Sequence, residues 1–129
     1  MPNPKIIAIE EHFTSPNLRA LRAEKDTPVQ RKLDDLGALR IREMDEAGID
    51  LQVISENNPA TQNLGAETAV KLARSSNDVL YEAVRAYPDR FAGFATLPTP
   101  DPKAAADELE RCVSKLGFKG AMIMGLTGW

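Results

Sequence analysis

Short apolar runs alternate with longer amphipathic stretches along the chain, and turn-forming residues stand at the joints. Four of the runs read as strands: Lys5–Glu10 ("KIIAIE"), Asp50–Ser55 ("DLQVIS"), Phe91–Leu97 and Phe118–Met124. The first two are rich in Ile and Val, the composition of parallel strands covered on both faces, so both are expected to be buried. Between the strands, apolar positions recur at helical spacing. Ala66, Ala69, Val70, Ala73, Leu80, Val84 and Tyr87 make one stripe, which Pro88 stops; Ala105, Leu109, Cys112, Val113 and Leu116 make another. Asp101 is expected to cap this second helix, and Pro102 suits its first turn because the N–H it lacks would be unpaired there. Gly117 ends it. A third helix is expected over 36–47, with Gly48 free to take the left-handed conformation that returns the chain to the second strand. Residues 13–27 show no clear period and are expected to form a long loop with a short helix.

Strand and helix in alternation are the signature of βα units on a parallel sheet. Four such units fit either a small doubly wound sheet or the first half of an eight-stranded barrel. No Gly-rich phosphate fingerprint follows any strand, which counts against a dinucleotide domain. The sequence stops after its fourth strand with no covering helix, an unfinished unit for a parallel sheet.

Composition narrows the partners. The 129 residues carry a formal charge of −3, so there is no broad basic field to drive nucleic-acid binding. Arg19, Arg22, Lys25, Arg31 and Lys32 are interleaved with Glu24, Asp26, Asp34 and Asp35, a mixture expected to form a solvated face. No stretch approaches the roughly 18 apolar residues of a membrane span, and the apolar run after Lys5 is too short for a secretory signal. Cys112 is the one cysteine; it is expected to fill core, and a cytoplasmic location is the default expectation.

Candidate chemistry collects at the end of the first strand, in "IEEHF", where His12 is the single histidine of the chain. Strand alternation sends Glu10 and His12 to one side and Glu11 to the other. In a barrel, the inward set at the C-terminal strand ends faces the active-site mouth. A carboxylate and an imidazole there are common ligands of zinc, manganese or iron. From spacing alone the plainer reading is a polar strand end with ordinary hydrogen bonds, since a catalytic mononuclear site needs at least three protein ligands. Glu56 and Asp101, the acids after the next two strands, read as a loop residue and a helix cap.

The segments "KIIAIEEHF", "REMDEAGIDLQVIS", "YPDRFAGFATLPTPDPKAAADELERCV" and "LGFKGAMI" resemble, in this order and almost end to end, the N-terminal part of the amidohydrolase-related family. Within it, "EEHF" is similar to the opening of the metal-dependent nonoxidative hydroxybenzoate decarboxylases, the γ-resorcylate and dihydroxybenzoate type. The resemblance implies a (β/α)₈ TIM barrel, one divalent metal ion, zinc or manganese, and Glu10 and His12 as its first two ligands. The implied substrate is a small hydroxylated aromatic carboxylic acid. In such enzymes the metal fixes the substrate's carboxylate and adjacent hydroxyl while an aspartic acid protonates the ring carbon and CO₂ leaves.

The family's remaining ligands, a histidine and that aspartate, fall well past residue 129, and a (β/α)₈ domain needs about 250 residues. Residues 1–129 are therefore expected to be the N-terminal portion of a single barrel domain, without the catalytic acid and inactive alone. Glu11 is expected to form a salt bridge or to support the ligands from behind. Phe13 and Asn57 are candidate substrate contacts, with Ser55, Asn58 and Gln62 at the same mouth and Trp129 as a further pocket candidate. Relatives often carry Asn-Gly where Met124 precedes Gly125 here, so any polar contact that such an asparagine would make to substrate is not expected of this chain. Open sheet edges point to a homo-oligomer. Two other readings remain: a metal-dependent hydrolase of the same superfamily, which would activate water, and a noncatalytic half-barrel acting as a binding or assembly module.

Overall fold

Residues 3–128, those described by the computed structural model, build a four-stranded parallel sheet: β1 (Ile7–Phe13), β2 (Leu51–Glu56), β3 (Phe91–Ala95) and β4 (Gly120–Ala121). Helices α1 (Pro16–Arg22), α2 (Pro28–Asp34) and α3 (Ala38–Ala47) connect β1 to β2; α4 (Ala66–Ala86) and α5 (Pro102–Ser114) make the next two crossovers. The strands lie in space in the order β1-β2-β3-β4. A doubly wound sheet reverses its order at a switch point, and this one never does. Right-handed crossovers that always add the next strand on the same side place every helix on one face. The result is the N-terminal portion of a (β/α)₈ barrel: helices outside, the other sheet face turned toward the barrel interior.

The core fills the layer between sheet and helices, where Phe13, Met44, Ile54, Leu80, Phe91, Cys112 and Phe118 are buried. Gly93 lets the Phe118 ring lie on the β3 backbone, because a Cβ at that position would stand 2.8 Å from the ring carbons. Cys112 is fully buried, as expected, and burial together with the nearby Glu108 carboxylate pushes its thiol up to about 12. Asp101 accepts from the Ala104 N–H at 3.0 Å and caps α5, while Gly48 takes φ +72° at the exit of α3.

Three expectations about the strands change, and one helix is added. β1 is not buried: Ile7 is 53% and Ile9 60% exposed, because β1 has a sheet neighbour on one side only. It also runs on to Phe13, since pairing with β2 continues through Ser55 and Glu56. The regular part of β4 shrinks to Gly120–Ala121 for the same reason of a single neighbour, although Lys119 and Met122 N–H groups still bond to Gly93 and Ala95. The unpatterned segment holds α1, the short helix expected there; the helix that was not expected is α2, which follows it, too short to show a period but started by the same chemistry as α5. Thr27 accepts from the Gln30 N–H at 3.0 Å, and Pro28 follows it.

The mixed-charge face around α1 and α2 is tied by ion pairs, Arg19 to Asp34 at 2.8 Å and Arg31 to Asp26 at 2.9 Å. Among the described residues no helix is long and apolar enough to cross a membrane.

Candidate metal centre at the end of the first strand

Pairing of β1 with β2 fixes which way each candidate points. His12 lies opposite Ser55, Glu11 opposite Ile54 and Phe13 opposite Glu56. Ile54 is core under the helices, so Glu11 and Phe13 share the helix side, while His12 and Ser55 share the open side. Between Ala8 and Glu11 the register slips: β1 takes three steps where β2 takes two. The extra residue is a β-bulge at Ile9–Glu10. Such bulges re-aim a side chain, and they are enriched beside active sites. Here Glu10 stands at an open hollow of about 610 Å³ that Asn58, Met122, Ile123, Met124 and Leu126 also line. The hollow lies at the C-terminal ends of the strands, where barrels carry their chemistry.

The imidazole is held in place. Ser55 Oγ sits 2.9 Å from His12 Nδ1, and the backbone carbonyl of His12 accepts from Arg40 Nη2 at 2.8 Å. Arg40 is a hub that sequence reading missed. It also donates to the carbonyls of Asp35 and Lys32 and to the side-chain oxygen of Gln52. Gln52 in turn donates to Glu11 at 3.3 Å. Burial pulls the Arg40 guanidinium below its ordinary value, and Glu11, Asp35 and Glu43 oppose that pull. Glu11 thus braces β1 through Gln52, on the side away from Glu10.

The other candidates separate. Phe13 is buried in the core on the helix side and is not near the hollow. Asn57 follows β2 and donates its backbone N–H to the Phe13 carbonyl at 2.7 Å; its neighbour Asn58 is the asparagine beside Glu10. Gln62 is 1% exposed and its amide is spent on the chain after β4, donating to the carbonyls of Met124 and Leu126 and accepting from the Met124 N–H. It shapes the hollow's wall and has no free group to offer a ligand. Trp129 lies outside the described residues.

Glu56 departs from its reading as a loop residue. It ends β2 on the helix side, 1% exposed, accepting from the Ser15 N–H and from Ser76 Oγ at 2.5 Å. Burial lifts its carboxyl above the ordinary range against those hydrogen bonds. Asn77 braces the neighbouring strand end in the same manner. It donates to the Thr96 carbonyl and to Glu108 and accepts from the Thr96 N–H. The signal for both α4 residues was in the sequence: Ser76 and Asn77 occupy the gap between Ala73 and Leu80 in the apolar stripe.

A domain model described as amidohydrolase matches residues 7–128. The chain belongs to the amidohydrolase family. Among proteins similar to this amidohydrolase chain is a gamma-resorcylate decarboxylase of Polaromonas sp. strain JS666, 46% identical over 127 residues that cover 94% of this chain and 39% of that protein. The crystal structure of a 2,6-dihydroxybenzoate decarboxylase from Rhizobium matches with a TM-score of 0.89 and 40% identity, over 97% of this chain and 40% of that one. A dihydroxybenzoic acid decarboxylase from Polaromonas, with bound manganese and the inhibitor 2-nitroresorcinol, matches with a TM-score of 0.85 and 41% identity, over 95% and 39%. The chain thus spans about 39% of the length of such relatives.

The donors present fit a divalent cation in kind. Glu10 supplies a carboxylate and His12 an imidazole on one face of one strand end. The His12 nitrogen that faces Ser55 is occupied, so the other is the one available to a ligand. Among the described residues no third His, Cys, Asp or Glu joins them. A catalytic mononuclear site takes at least three protein ligands, one more than these two donors.

Proposed function

We propose that the amidohydrolase chain is the N-terminal part of a metal-dependent nonoxidative decarboxylase acting on a hydroxylated aromatic carboxylic acid. The observation that carries this reading is that Glu10 and His12 fall on the same open face of β1, with Glu10 at an apolar hollow. Similarity to dihydroxybenzoate decarboxylases over nearly the whole chain supports it.

In this reading Glu10 and the Nε2 atom of His12 hold a zinc or manganese ion together with ligands from the rest of the barrel. A cation bound there supplies Lewis-acid attraction for the substrate's carboxylate and neighbouring hydroxyl. Met122, Ile123, Met124 and Leu126 offer an apolar wall to the aromatic ring, and Asn58 a polar edge. Gln62 keeps that wall in place through its bonds to Met124 and Leu126. On the helix side, Arg40, Gln52 and Glu11 hold the strand that carries both ligands. The proton that replaces CO₂ on the ring carbon comes from an acid outside this chain.

A chimera tests the proposal: residues 1–129 replace the matching N-terminal segment of the Polaromonas gamma-resorcylate decarboxylase. Release of CO₂ from 2,6-dihydroxybenzoate by the chimera, lost on Glu10→Ala, is the expected result. A folded chimera whose activity survives Glu10→Ala contradicts the proposal.

A further inference from the structure

Ser55 ends the open-face row of β2, directly across from His12 in the parallel pairing. It is 1% exposed, and its hydroxyl lies 2.9 Å from Nδ1 of the imidazole. A neutral imidazole donates from one nitrogen and accepts at the other, so this contact decides which nitrogen keeps its lone pair. If Ser55 donates, Nδ1 is the acceptor and Nε2 carries the proton. If Ser55 accepts, Nδ1 carries it and the Nε2 lone pair is free.

The surroundings favour a fixed ring over a mobile one. The His12 carbonyl is bound by Arg40 and the next carbonyl, of Phe13, by the Asn57 N–H. With the backbone pinned, ring rotation is the imidazole's main remaining freedom, and the Ser55 hydroxyl removes it. Histidines that ligate metals commonly donate their second N–H to a nearby oxygen, which sets the tautomer and aims the ligating nitrogen.

We infer that Ser55 is a positioning residue for the metal centre: its Oγ accepts a hydrogen bond from Nδ1–H of His12, which holds the imidazole in the tautomer whose Nε2 lone pair is offered beside Glu10. The inference rests on the metal reading of Glu10 and His12, and its test separates the two.

In the metal-free chimera described above, at a pH where the ring is neutral, a long-range ¹H–¹⁵N correlation spectrum reads the tautomer directly, the His12 spin system being the one lost on His12→Gln. The chimera with Ser55 intact is expected to show Nδ1–H. Ser55→Ala should move the population to the Nε2–H form that free imidazole side chains prefer, and Ser55→Thr, which keeps a hydroxyl, should restore Nδ1–H. A second arm adds substoichiometric Mn²⁺ and follows paramagnetic broadening. Signals of Glu10 and His12 should broaden first, and Ser55→Ala should raise the Mn²⁺ needed by about 10- to 100-fold.

An Nε2–H tautomer in the chimera with Ser55 intact, or a tautomer that Ser55→Ala leaves unchanged, overturns the role of Ser55 even with broadening centred on Glu10. Broadening centred away from Glu10 and His12 overturns the metal reading even with the expected tautomer.

Discussion

Glu56 and Glu10 sit near the ends of adjacent strands in one sheet, and the two faces of that sheet treat them differently. Glu56 points into the helix layer, 1% exposed, where Ser15 and Ser76 occupy its oxygens. Glu10 points to the open side at a bulge and stays exposed, with an apolar hollow beside it and no hydrogen-bond partner among the described residues. The same division runs through the other polar groups. Glu11, Gln52, Arg40, Asn77 and Glu108 are consumed on the helix side as braces between strand and helix. A buried carboxylate committed to a hydrogen-bond network is poorly suited to capture a cation, whereas an exposed one at a strand end keeps its lone pairs. Burial and sequence type alone would rank Glu56 as the more notable acid; the face it occupies reverses that order.

The largest effect expected from breaking this contrast is at Asn77. Asn77→Ala strands both backbone groups of Thr96 and one bond of Glu108, and should cost about 2–5 kcal/mol in urea denaturation, at roughly 1–3 kcal/mol per buried unsatisfied group. A loss under about 1 kcal/mol would mean the helix-side network is not the brace described. Next comes Gly93→Ala, which forces the Phe118 ring off the β3 backbone. A cost of about 1–3 kcal/mol is expected from overpacking, visible in the same denaturation series.

A smaller effect distinguishes the two buried acids by pH. Glu56 is raised above the ordinary glutamate value of 4.5, so over the interval above that value the native chain holds a proton the unfolded chain has lost. Its contribution to stability therefore falls as pH rises through that interval. At Glu108 burial acts to raise the carboxyl, but Arg111 and Asn77 outweigh it and hold the group below 4.5. Its contribution is present above 4.5 and is lost as pH falls through the lowered value. Glu56→Gln should flatten the upper end of the stability profile and Glu108→Gln the lower end; a swap of those two outcomes would invert the assignment. The smallest effect is on the open face itself, where Glu10→Gln should change stability by no more than about 0.5 kcal/mol, as for an exposed substitution.

Much of this was legible in the sequence. The Asp101–Pro102 start, the Gly48 turn and most of the α4 and α5 stripes follow from local chemistry; Val113 departs from its stripe, 47% exposed, while Glu108, held by Asn77 and Arg111, is buried on α5. The side of the strand on which Glu10 and His12 fall was legible too, although the bulge that turns Glu10 was not, because a one-residue slip depends on the partner strand. Thr27–Pro28 announced α2 as clearly as Asp101–Pro102 announced α5, yet a seven-residue helix is too short for its period to show. Arg40 stayed hidden because an arginine in a helix looks like surface until the carbonyls it binds, which come from 5 to 28 residues away, are brought together. The exposure of β1 is a property of its one-sided pairing, which composition does not encode.

We propose that Glu10 and His12 on the open face, and not the helix-side Glu11, ligate the metal. Metal analysis of the purified chimera tests it most directly. About one equivalent of manganese or zinc per subunit is expected, lost on Glu10→Ala and on His12→Ala and retained on Glu11→Ala in folded protein. Metal retained without Glu10, or lost only without Glu11, would contradict it.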